Sequence, residues 1–100
     1  MAKYININGT TTTTLLSSAD KQYTGNIKSI NISNNSSSTD ASISLYLDEE
    51  ATDDDYYYFK TVDLPKGSSL ILDTGLSFDI NNYALKFTNT GSNDLSIIIK

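Results

Sequence analysis

Ala41-Ser42-Ile43-Ser44-Leu45-Tyr46-Leu47 is the stretch whose reading decides the fold. Ala41, Ile43, Leu45 and Leu47 alternate with Ser42, Ser44 and Tyr46. A period of two belongs to a β-strand with one buried face, because successive side chains point to opposite sides of a sheet. The stretch is bracketed by turn chemistry: NNSSSTD before it, at 34–40, and the acidic DEEATDDD after it, at 48–55.

The same pattern recurs outward in both directions. Upstream, IKSINIS at 27–33 puts Ile30 and Ile32 on one face, with Ile27 on the other unless a bulge intervenes. With the central strand it predicts a hairpin. Nearer the N-terminus, Tyr4 to Ile7 leads to a turn at Asn8-Gly9, then to the threonine run 10–14 and Leu15-Leu16. Consecutive β-branched residues disfavour helix and suit an extended edge strand. Residues 1–17 are therefore read as an edge strand, with a flexible polar arm as the alternative.

Downstream, YYYFKTVDL at 56–64 is strongly β-prone but of ambiguous parity. Tyr57 and Phe59 fit one face, and Val62 and Leu64 join it only if a bulge lies near Lys60. This reading sends two aromatics into the core and leaves Tyr56 and Tyr58 outside. Leu64-Pro65-Lys66-Gly67 reads as a type I turn. A short strand at 69–72 ends in Asp73-Thr74-Gly75. LSFDI at 76–80, YALKF at 83–87 and LSIII at 95–99 follow, the last two parted by a loop at 89–94. In LSIII, Leu95, Ile97 and Ile99 face the core and Ile98 faces the other way. Seven or eight short strands at this spacing predict an all-β protein. The expected form is a single antiparallel β-sandwich, jelly-roll or immunoglobulin-like, with residues 1–100 as one domain.

Composition excludes most chemistry. The 100 residues contain no histidine, cysteine, tryptophan or arginine. The usual general base, the thiol nucleophile and the thiolate metal site are thus missing. The serines have no histidine to activate them, and no glycine-rich loop could cradle a phosphate. A net charge of −5 with scattered lysines argues against nucleic acid. No apolar run is long enough to span a membrane. MAKYININ is too polar for a secretory signal, so the chain is expected to be made and kept in the cytoplasm of its producer, or packed into an assembly there. The Asn-x-Ser/Thr triplets at Asn8, Asn31, Asn34 and Asn35 are what chance gives in so Asn- and Ser-rich a chain.

Two clusters remain as candidates. The acidic loop holds six carboxylates in eight residues, and oxygen ligands are what calcium takes. Asp48, Glu50, Asp53 and Asp55 are the candidate metal ligands. The plainer reading is a solvated hairpin tip, since two exposed charges at ~4 Å cost only about 1 kcal/mol in water. With nothing apolar beside them to keep one carboxyl protonated, these acids do not suit glycoside hydrolysis. The second cluster is the tyrosine run, where Tyr56 and Tyr58 serve either as cross-strand packing or as an interface or carbohydrate platform. Thr12, Thr13 and the outward Ile98 are further contact candidates.

From Thr10 onward, GTTTTTLLSS, IKSINISNNSSSTDASISLYLD, YYYFKTVDLPKGSSLILDTGLSFDINNYALKFT and DLSIIIK follow in an order that resembles small virion structural proteins of tailed bacteriophages, particularly those of marine and cyanobacterial hosts. The resembling pattern is a threonine-rich start, an I-x-N strand and an alternating aliphatic strand. A tyrosine-rich strand into V-x-L-P-x-G follows, then the sLxL, yxLK and dLsIII strands. The resemblance implies a non-enzymatic, multi-copy protein of the virion, made in the host cytoplasm. Such a protein decorates or cements the capsid or forms part of the neck, tail or fibre, in contact with other virion proteins and its own copies. It implies no catalytic residue and no cofactor. The alternative is a carbohydrate- or cell-surface-binding module, calcium-assisted through the acidic loop.

Overall fold

The structure, a computed structural model, describes residues 2–23, 26–73, 75–91 and 94–100. Thr74, Ser92 and Asn93, which the sequence places in turns, lie outside the described residues. Ten strands are present among these residues: β1 Lys3–Asn8, β2 Thr11–Leu16, β3 Asn26–Ile27, β4 Ile30–Asn34 and β5 Ala41–Glu49, then β6 Asp55–Leu64, β7 Ser69–Leu72, β8 Leu76–Ser77, β9 Tyr83–Thr90 and β10 Asp94–Ile99. A 3-10 segment, Ser18–Tyr23, follows β2, and no α-helix occurs among the described residues.

The pairing has a simple rule. β1 pairs with β10, β2 with β9, β3 with β8, β4 with β7 and β5 with β6, all antiparallel. The chain is thus one long hairpin, closed by the acidic loop at its midpoint. Two further pairings, β10 with β4 and β5 with β9, fold the hairpin's arms into sheets. The result is two four-stranded sheets, β1-β10-β4-β7 (sheet A) and β2-β9-β5-β6 (sheet B), and the two-stranded β3-β8.

Alternation then sorts the side chains. On the inner face of sheet A, Ile5, Ile97, Ile32 and Leu70 form one cross-strand row, with Ile99, Ile30 and Leu72 beside it. On sheet B, Ile43, Leu45, Leu85 and Phe87 point inward and are fully buried. Residues of both sheets belong to one hydrophobic cluster. Each fully buried aliphatic or aromatic side chain there contributes about 1.5–3 kcal/mol. The radius of gyration, 13.0 Å, is that of a compact unit of this length.

Several expectations need correction. There are ten strands where seven or eight were expected, because the hairpin's arms stay paired through the short β3-β8 as they pass between the large sheets. Ile27 belongs to β3 and pairs with Leu76, separate from Ile30 and Ile32. β4 and β5 do not form a hairpin; they lie in different sheets. The loop between them is held by Asn34, whose Nδ2 donates to the carbonyls of Thr39 and Leu64, both at 3.0 Å. In the LSFDI run only Leu76 and Ser77 are strand. Asp79 then stops the extension, its carbonyl accepting from Asn82 N–H at 3.1 Å and Tyr83 N–H at 3.0 Å. The proline turn sits one residue later than expected. Ser68 N–H donates to Pro65 O at 3.1 Å, and Gly67 takes the third position at φ +72°, which favours glycine.

Candidate contact surfaces

The outer face of sheet A has two kinds of cross-strand row. Asn6, Ser96, Ser33 and Ser69 make a polar one. Ser96 Oγ donates to Asn6 Oδ1 at 3.2 Å and accepts from Asn35 Nδ2 at 2.7 Å, while the Ser33 and Ser69 hydroxyls meet at 2.8 Å. Next to it run Tyr4, Ile98, Asn31 and Ile71. Tyr4 is 74% exposed and Ile71 60% exposed, at the two edges, with Ile98 half-buried between them. Asn31 Oδ1 is buried and has no hydrogen-bond partner among the described residues. None of these eight positions is charged, in a chain with net charge −5. Ile98 was legible from parity alone. Tyr4 and Ile71 were missed, although each stands out of phase with the inward residues on either side of it.

The tyrosine strand is reset by two irregularities. Ile43 lies opposite Val62 and Leu45 opposite Phe59, so Lys60 and Thr61 together face Ser44. Thr61 adopts φ +56°, and its N–H donates to Ser44 Oγ at 2.9 Å. This is the bulge expected near Lys60. A second shift leaves Tyr58 without a partner of its own, because Tyr57 pairs with Tyr46. The second shift moves Tyr57 to the outer face, which corrects the expectation that two aromatics enter the core. Only Phe59 packs against the core. Tyr57 packs on Tyr46 with ring centroids 4.9 Å apart, and Lys60 Nζ sits 4.9 Å from the Tyr57 ring. Burial, then the nearby Asp55 charge, pushes the Tyr46 hydroxyl's pKa up. Tyr56 leans edge-on toward Tyr83 at 6.1 Å, and the Glu49 carboxylate raises its pKa. Burial does the same for Tyr58.

The acidic hairpin is organised by its own backbone. Glu49 N–H donates to Asp54 O at 2.9 Å and Asp53 N–H to Glu49 O at 2.8 Å, with Asp53 at φ +60°. Thr52 Oγ1 lies 2.8 Å from Glu49 Oε2 and 3.2 Å from Asp54 Oδ2. Asp48 is turned away to Lys86 at 2.8 Å, a hydrogen bond that raises the Lys86 pKa. Asp55 lies opposite Asp48 in the ladder, and Glu50 N–H donates to Asn82 O at 3.0 Å. Among the described residues no three acidic side chains gather as a metal site.

The five contact residues read from sequence do not share one surface. Thr12 lies opposite Thr88 on the outer face of sheet B, whereas Thr13 lies opposite the inward Phe87. Tyr56 and Tyr58 sit on the other edge strand of that sheet, about three strand spacings (~14 Å) away. Ile98 is on the far side of the molecule. One open cleft, about 390 Å³, is lined by Ala2, Asn26, Lys28 and Lys100 and brings together no acid–base pair. No family model matches the chain, and no curated protein is significantly similar to it.

Proposed function

We propose that the chain is a non-enzymatic structural component of a tailed-bacteriophage particle, present in many copies on the capsid, neck or tail. The observation that carries this reading is a pair of uncharged rows on the outer face of sheet A, one of which sets Tyr4, Ile98 and Ile71 beside Asn31. Solvent-facing apolar side chains in a row mark contact with another protein. Weak contacts of this kind suffice when symmetry repeats them.

Architecture supports the same reading. We read the two large sheets as one β-sandwich of the jelly-roll kind. Lettered in chain order from B to I, the eight longer strands fall into B-I-D-G and C-H-E-F. Jelly rolls serve viral capsid and lectin domains alike, so the architecture is an analogy, and the surface must decide. The sequence resemblance favours the viral side. The test is mass spectrometry of purified particles from the phage that encodes the chain. The reading expects the protein at a fixed multiple of the portal or capsid copy number. Its absence from particles would overturn the reading.

A second reading, a carbohydrate-binding module, draws on one observation. Tyr46 and Tyr57 form an aromatic pair beside the Asp48–Lys86 ion pair. It expects glycan binding that Tyr57→Ala or Tyr58→Ala weakens. Calcium assistance expects a melting shift that Asp54→Asn removes. Without either effect this reading falls.

A further inference from the structure

We propose that β1 is a self-pairing edge through which two copies of this chain join sheet A to sheet A in an antiparallel dimer. Each large sheet ends in two edge strands, and an edge offers unpaired N–H and C=O groups to any other strand. Three of the four edges carry a device against such pairing. β6 has two register shifts, the positive-φ Thr61, and the charged Lys60 and Asp63. β2 has a register shift between Thr14 and Leu16. β7 is only four residues long. β1 has no shift and no positive φ, and its one charge, Lys3, stands on its first residue. Its six residues pair with β10 without a shift, and from Tyr4 to Asn8 it carries no charge and no proline. On the side away from β10, this segment joins no described strand.

The occupant follows from the strand's own pattern. Centred on Asn6 against Asn6, antiparallel pairing sets Ile5 opposite Ile7 of the second copy on the inner face. It sets Tyr4 opposite Asn8 of the second copy on the outer face. The two Lys3 side chains then lie about 20 Å apart, six strand residues, beyond the ~8–10 Å over which salt leaves charges in contact. Each Lys3 is also engaged at home, with Nζ 2.6 Å from Leu15 O and 3.2 Å from Asp20 Oδ1. A copy bearing a net charge of −5 can therefore meet its twin here without opposing charges. A two-fold pairing makes an eight-stranded sheet and joins the uncharged outer rows of the two copies.

This inference rests on the multi-copy reading for its partner, and the two can fail separately. The measurement is sedimentation velocity of the purified chain from micromolar to several hundred micromolar. The expected result is a monomer–dimer equilibrium that Asn6→Lys weakens at least tenfold, by placing like charges face to face. At a dilution where the wild type is monomeric, Asn6→Lys keeps the wild-type melting temperature. Ser69→Lys, on the same outer face but at the far edge, leaves the dimer intact. A wild-type chain that stays monomeric throughout overturns the inference even if the chain is found in particles. A dimer that Ser69→Lys dissociates as strongly as Asn6→Lys also overturns it, since that outcome belongs to stacking of the outer faces.

Discussion

Asn34 is buried and holds two loops together. Besides its two donated bonds, its Oδ1 accepts from Ser36 N–H at 3.1 Å. Asn34→Ala removes one buried bond, to Leu64 O, and two part-buried ones, to Thr39 O and from Ser36 N–H, and each group left unsatisfied costs about 1–3 kcal/mol. Allowing for local relaxation and water entry, the expected loss is about 2–4 kcal/mol in urea unfolding. Asn89→Ala is expected to lose less. Asn89 Nδ2 donates to Gly9 O at 3.0 Å, and its buried Oδ1 has no partner among the described residues. Nothing in the sequence singled out Asn34 from its polar neighbours, because its partner Leu64 lies thirty residues on. Asp20 supplies the pH dependence. Burial opposes its charge, but the Ser17 N–H and Lys3 outweigh burial and hold the carboxyl below its ordinary 3.8. A lowered carboxyl pKa gives stability that is present above the unfolded value and lost as pH falls through the folded one. The stability gap between wild type and Asp20→Asn is therefore expected to be full at neutral pH and to close below about pH 4. A gap that stays constant down to pH 2 would contradict this.

At the scale of the element, β6 is where sequence reading and structure diverge most. The bulge near Lys60 was legible, because Phe59 and Val62 cannot share a face without one extra residue. The shift at Tyr58 was not. Three tyrosines in a row fit either parity, and only the pairing of Tyr57 with Tyr46 across the ladder decides between them. A β-branched residue at positive φ is strained, at about 1–2 kcal/mol. Glycine removes that strain and adds back part of it as unfolded-state entropy. Thr61→Gly is thus expected to raise unfolding free energy by about 0.5–1 kcal/mol. Ser44→Ala, which removes the hydroxyl that accepts Thr61 N–H, is expected to lower it by about 1 kcal/mol. If Thr61→Gly destabilises the protein, the positive-φ bulge is not the conformation populated in solution. The hairpin between β4 and β5 failed as an expectation for a related reason. Adjacent strands pair most often, but here the nested hairpin assigns each strand a distant partner.

At the scale of the molecule, residues of both large sheets belong to one hydrophobic cluster, so neither sheet can be lost alone. Heat or denaturant is expected to give one cooperative transition, with far-ultraviolet circular dichroism and tyrosine fluorescence coinciding. Leu45→Ala, at a fully buried position on the central β5, is expected to cost about 2–5 kcal/mol. The all-β class was legible from period-two alternation, and the inward rows of β5 and β10 were read residue by residue. The sheet order was not legible, because it depends on which distant arms of the hairpin meet. The contact face was half legible. Ile98 stood out, but Tyr4 and Ile71 gain meaning only when β10 and β4 bring them into one row. The claim that joins these scales is that the protein works by contact through sheet A and its β1 edge. Hydrogen exchange, read by mass spectrometry on the dilute free chain and on the chain in assembled particles, tests it most directly. The account predicts that assembly slows exchange from Tyr4 to Asn8 and leaves Glu50 to Asp54 as fast as in the free chain. Protection confined to the acidic hairpin and the tyrosines of β6, with β1 unchanged, would contradict it.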